Sequence, residues 1–125
     1  MPPQQGCKVQ VFARIRPTTA ASVVTCGATG VDVTEKNGAT RSFPVDACFA
    51  ADCSQEAVFA RVGPPLTEAA TTGFHGCLLC YGQSGSGKTH TMMGPGGGAA
   101  EAVASAECGL IPRVIEQLKI GRAQV

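Results

Sequence analysis

The sequence predicts an α/β domain, and three observations carry the prediction. Runs that alternate apolar and polar residues at period two fill the first part of the chain, and runs with apolar residues at helical spacing follow. A glycine-rich loop then stands between an apolar strand-like run and a short helical one, the order expected where a strand feeds a helix. The 125 residues suit one small domain. Hydrophobic residues make up 44% of them, but many are alanine, seven are cysteine and none is tryptophan, so a thin core is expected.

Taken in order, Val9-Gln10-Val11-Phe12-Ala13-Arg14-Ile15 alternates cleanly and reads as a strand stopped by Pro17. Val31-Asp32-Val33-Thr34-Glu35 and Ala39-Thr40-Arg41-Ser42-Phe43 flank Lys36-Asn37-Gly38, and Asn-Gly between strand-like runs predicts a hairpin, because both residues tolerate positive φ. Pro44 removes a backbone donor, so 43–49 is expected to be an edge or interrupted strand. Ser54 is placed to cap a helix carrying Val58, Phe59 and Val62, which Gly63-Pro64-Pro65 is expected to break. A shorter helix over 66–72 then ends at Gly73. Gly76-Cys77-Leu78-Leu79-Cys80-Tyr81 reads as a buried strand, followed by the glycine-rich loop and a helical stretch through Met92 and Met93. Residues 94–109, low in complexity, predict a flexible surface loop without a catalytic role. Helix resumes over 110–118, with Pro112 tolerated near its first turn.

Charge and cysteine usage narrow the function classes. Ten Lys and Arg against nine Asp and Glu give +1, which excludes a polybasic surface that coats nucleic acid. No apolar run reaches membrane-spanning length, and Met1-Pro2-Pro3-Gln4-Gln5 lacks the charged-then-apolar pattern of a signal peptide. A soluble, intracellular chain with neither nucleic acid nor membrane as partner is expected. Seven cysteines at irregular spacings do not read as a secreted disulfide framework. Cys77 and Cys80 form one C-x-x-C without the further ligands that zinc needs, and in a strand they would face opposite ways, so they read as small core hydrophobes that bind no metal and form no bridge.

The strongest motif is Gly82-Gln83-Ser84-Gly85-Ser86-Gly87-Lys88-Thr89, a full match to G-x-x-x-x-G-K-[ST]. Glycines let successive backbone amides turn inward into a nest for phosphate oxygens, and the following helix presents its positive end to the same anion. Lys88 is expected to reach the β- and γ-phosphates, and the Thr89 hydroxyl to help hold Mg²⁺.

Around this loop, Tyr81 before it and His90-Thr91-Met92 after it make a segment that closely resembles the phosphate-binding segment of kinesin motor domains. Other segments match that family in order. Val11-Phe12-Ala13-Arg14-Ile15-Arg16-Pro17 is similar to its first strand with the R-x-R-P ending, and Phe43-Pro44-Val45-Asp46-Ala47-Cys48-Phe49 to F-x-F-D-x-V-F. Gln55-Glu56-Ala57-Val58-Phe59 resembles Q-x-x-V-F, Gly73-Phe74-His75-Gly76 resembles G-Y-N-G, and Gly109-Leu110-Ile111-Pro112-Arg113 resembles G-I-I-P-R. The departures are Pro44, Val45 for Phe, and His75 for Asn. The resemblance covers 9–118 and implies a P-loop NTPase-type, kinesin motor-like sheet flanked by helices, with 1–8 as a leader and 9–125 as the front part of a motor domain.

The resemblance implies ATP and Mg²⁺ as cofactors, a microtubule (tubulin) partner for the intact motor and a cytoplasmic, cytoskeletal location. It also assigns Arg14, Pro17 and His90 to the adenine, a role suited to flat apolar surfaces and a stacking guanidinium. The family's switch patterns, N-x-x-S-S-R-S and D-x-x-G, do not occur, and the aspartates Asp32, Asp46 and Asp52 all precede the loop. The sheet is therefore expected to be incomplete, no catalytic residue is assigned, and nucleotide binding without hydrolysis is expected of this chain. A degenerate nucleotide-binding or interaction module and an unrelated small P-loop phosphotransferase remain as alternatives. Subfamily, direction of movement, cargo and oligomeric state are left open.

Overall fold

The computed structural model describes residues 9–97 and 105–123. The expected leader at 1–8 lies outside the described residues, as does the middle of the expected loop at 94–109. The architecture is α/β, with two small sheets and three helices among the described residues. The chain divides into two compact units, 1–52 and 53–125.

In the first unit, β1 (Phe12–Arg14) pairs in parallel with β5 (Ala47–Phe49). The strand is shorter than the alternation over 9–15 predicts because its partner offers only three residues. Beyond them, the Asp46 carboxylate accepts from the Val11 amide at 2.7 Å, and the Ile15 amide donates to the Phe49 carbonyl at 2.9 Å. Val9 and Val11 are exposed, and the packed face is instead that of Phe12, whose ring lies 6.2 Å from that of Phe49.

The second sheet is an antiparallel meander of β2 (Val24–Cys26), β3 (Gly30–Thr34) and β4 (Thr40–Pro44). The hairpin joining β3 to β4 lies where the Asn-Gly pair predicts, but only Gly38 adopts positive φ, at 83°, and Asn37 does not. Asn37 contributes through its side chain, whose Oδ1 accepts from the Ala39 amide at 2.8 Å. Strand β4 is polar, exposed along its length and ends on Pro44, the properties of a sheet edge that discourages further pairing.

Cys26, at the end of β2, forms a disulfide with Cys48 in β5, with Cα atoms 5.6 Å apart. The irregular cysteine spacing gave no sign of this pairing, because it depends on how the two sheets meet within the unit. In a reducing compartment the pair stands as two thiols. Closing a loop of 22 residues restricts the unfolded chain and contributes about 3 kcal/mol. Adding reductant is therefore expected to lower the unfolding temperature of the oxidised chain and to leave Cys48→Ser unchanged. Equal shifts in parent and Cys48→Ser, followed by circular dichroism, would contradict this.

In the second unit, α1 (Gln55–Thr71) packs against α3 (Leu110–Ala123). The expected break at Gly63-Pro64-Pro65 does not occur; α1 runs through both prolines. Proline's fixed φ is itself helical, and the lost donors fall together at one point of the ladder. The bare Gly63 leaves room for the Phe59 ring, which a Cβ there would strike. Past the prolines the Thr67 hydroxyl donates to the Pro64 carbonyl at 3.0 Å. Ser54 caps the helix as predicted, its hydroxyl accepting from the Ala57 amide at 3.1 Å. The far end closes with the Phe74 amide donating to the Ala69 carbonyl at 2.8 Å.

The core is thin, as the composition predicts. Its buried apolar side chains are Phe49 in the first unit and Val58, Val62, Cys108 and Leu110 in the second. No described helix is long and apolar enough to cross a membrane.

Candidate functional site

The segment leading into the glycine-rich loop departs from expectation. Residues 76–81 belong to neither sheet, and Leu79 is 83% and Tyr81 98% exposed. An apolar run of this kind is a strand only when neighbouring strands pair with its edges and helices cover its faces. Among its described residues the second unit has no strand to pair with it. Cys77 is accordingly exposed and Cys80 half-buried, both as thiols, which corrects their reading as core residues.

The glycine-rich loop is a tight turn leading into a helix. The Ser86 amide donates to the Gln83 carbonyl at 3.1 Å, closing a tight turn, and Gly85 has φ 77°. Gly87 caps α2 (Lys88–Met92) at φ 106°, a conformation that a side chain would strain. The amides of Lys88 and Thr89 open this helix and have no carbonyl one turn back within it. The Lys88 ammonium folds over the loop, donating to the Gly82 carbonyl at 2.6 Å and the Gln83 carbonyl at 2.8 Å. Thr89 and His90 are exposed on α2. A cation held over a turn at the start of a helix is complementary to a polyanion.

Three residues that carried no assigned role in the sequence reading brace this loop's helix or the chain packed beside it. The buried Gln55 donates through Nε2 to the His90 carbonyl at 2.7 Å and the Glu107 carbonyl at 3.1 Å. Gly109 lies so close to α2 that a Cβ there would come within 2.6 Å of the Met92 carbonyl oxygen and the Met93 nitrogen. Arg113 ties down the chain before α3, with Nε donating to the Cys108 carbonyl at 3.0 Å and a terminal nitrogen to the Ala106 carbonyl at 2.7 Å. Both ends of the expected surface loop are thus anchored: Gly94, Cys108 and Gly109 are all buried. The signal for these residues was present in the Q-x-x-V-F and G-I-I-P-R matches, but spacing alone attached no task to it.

The structure brings 82–90 together in the second unit, while Arg14, at the end of β1, and the exposed Pro17 belong to the first. No group of three or more His, Cys, Asp or Glu able to hold a metal occurs among the described residues.

Comparison with known proteins gives a consistent result. The family model described as the kinesin motor domain matches residues 10–120. The kinesin-like protein KIN-12B of Oryza sativa subsp. japonica is 39% identical over 118 residues, covering 88% of this chain and 10% of that protein. The kinesin-like protein KIF15 of Homo sapiens is 33% identical over 126 residues, covering 94% of this chain and 9% of that one. Among solved structures, one described as that of a fast kinesin, with implications for ATPase mechanism and interactions with microtubules, superimposes with a TM-score of 0.78 at 29% identity. The match covers 94% of this chain and 34% of that structure. The chain spans about a tenth of the length of the curated relatives. With the family model matched over nearly the whole chain, and the P-loop, its lysine and its supporting helix in place, this chain belongs to the kinesin motor domain family.

Proposed function

We propose that the chain is the nucleotide-binding part of a kinesin-type, microtubule-associated motor of the cytoplasm, and that residues 82–89 hold the phosphates of ATP or ADP with Mg²⁺. The observation that carries this reading is the Lys88 ammonium folded over a turn built on Gly85 and Gly87. The residues present fit a phosphate chain. The backbone at Gly87 is bare, with open space where a Cβ would stand, and Lys88 exchanges carbonyl contacts for charged oxygens without moving off the loop. Thr89 contributes a hydroxyl to Mg²⁺, an ion that takes most of its remaining ligands from phosphates and water. When bound, Mg²⁺ neutralises charge on the β- and γ-phosphates. The chain's own residues bind and orient: the amides and Lys88 fix the phosphates, and His90, exposed two residues beyond Lys88, reaches the base.

For Arg14 and Pro17 the adenine role rests on the family match alone. The test is titration calorimetry with ATP, ADP and GTP at several Mg²⁺ concentrations. His90→Ala and Arg14→Ala are expected to weaken ATP binding several-fold and to narrow the preference for adenine over guanine, with little change in Mg²⁺ dependence. Unchanged affinity for both ATP and GTP in either variant removes that residue from the base site.

A further inference from the structure

Gln55 is the most buried polar side chain among the described residues, at 4% exposure. Its Nε2 bonds reach carbonyls 35 and 52 positions away in sequence, so both protons of the amide nitrogen are committed to main chain. One acceptor, the His90 carbonyl, also receives the Gly94 amide at 3.0 Å. Helix α2 has five residues, too few to hold its own direction, since an isolated turn of helix is unstable. Its alignment therefore comes from outside: the loop at its start, and the Gln55 amide and the Gly109 backbone at its end. An apolar side chain of the same size fills the space at 55 but takes the side-chain donor from both carbonyls, leaving the His90 carbonyl to the Gly94 amide alone. A lysine brings a buried charge.

We infer that Gln55 is a positioning residue of the nucleotide site. Its amide locks the end of α2 to the chain at 107 and so sets where Thr89 and His90 stand toward a bound nucleoside phosphate. This rests on the reading of 82–89 as a nucleotide cradle.

The experiment uses the full chain and a fluorescent ADP. Gln55→Met, which keeps volume and loses both donors, is expected to weaken binding about tenfold. It is also expected to reduce the preference for ATP over GTP. Val62→Ala, a core truncation on the same helix, is expected to lower the unfolding temperature and leave affinity and base preference at parental values. In combination, Gln55→Met and His90→Ala are expected to cost less than the product of their separate effects, because the first already misplaces the second. A merely structural glutamine gives multiplicative losses and an unchanged base preference.

Parental affinity in Gln55→Met, or multiplicative losses, overturns the inference. If Gln55→Met does not fold, Gln55→Asn serves, since it keeps the amide one methylene short and reaches one carbonyl. An intermediate loss supports the inference, and parental behaviour overturns it. Lys88→Ala separates the two levels. If it leaves affinity unchanged, the cradle reading itself fails. If it weakens binding while Gln55→Met does not, only the positioning role fails.

Discussion

Lys88→Ala is expected to lower affinity for Mg²⁺-ATP and Mg²⁺-ADP about a hundredfold, the largest loss from any single side chain in the chain. A hydrogen bond to a charged group contributes about 1.5–3 kcal/mol, and every 1.4 kcal/mol is tenfold in binding. The ammonium is already over the loop, 2.6 and 2.8 Å from two of its carbonyls, so little reorganisation separates its resting contacts from phosphate. Either variant takes that donor from the Gly82 and Gln83 carbonyls, and Lys88→Met, which keeps the packing of the stem, separates loss of charge from loss of bulk. Calorimetry on both variants decides the matter. Parental affinity in Lys88→Met would show that the ammonium makes no contribution to binding and would end the cradle reading.

The second large effect is one of rate. The 125-residue chain is expected to bind nucleotide but to show no microtubule-stimulated ATP hydrolysis. Hydrolysis needs a water held in line with the γ-phosphate and groups that stabilise charge as the bond breaks. After Thr89 the carboxylates are Glu101, Glu107 and Glu116, and neither N-x-x-S-S-R-S nor D-x-x-G occurs. Movement needs, in addition, a γ-phosphate sensor joined to a mechanical element. Phosphate release from the purified chain, raised by microtubules and abolished by Lys88→Ala, would falsify the expectation. A longer polypeptide carrying both switch motifs is expected to show that activity.

The turn at 82–89 was legible in the sequence because it is local: Gly85 and Gly87 set its backbone and the Lys88 side chain folds over it. The hairpin around Gly38 and the Ser54 cap were legible for the same reason. The misreadings share a cause as well. Proline at 64 and 65 was weighed by its missing donors, whereas a helix packed on α3 and supplied with Gly63 absorbs them. The run at 76–81 was weighed by its apolar pattern, which specifies a strand only in the presence of partner strands. Gln55 and the Cys26–Cys48 pair depend on contacts between distant parts of each unit, which spacing does not encode.

Where the chain leaves α2 and where it returns toward α3 lie side by side. A Cβ on Gly94 would come within 2.8 Å of the Glu107 carbonyl oxygen. Positions 94 and 107 are therefore neighbours in space. Between two fixed, neighbouring ends the entropic cost of closing a connection rises only with the logarithm of its length, about 0.6 kcal/mol for each doubling. Sequence can be lengthened, shortened or exchanged between those two points while the P-loop helix keeps its footing, which makes this the natural place on the chain to graft a reporter or an epitope.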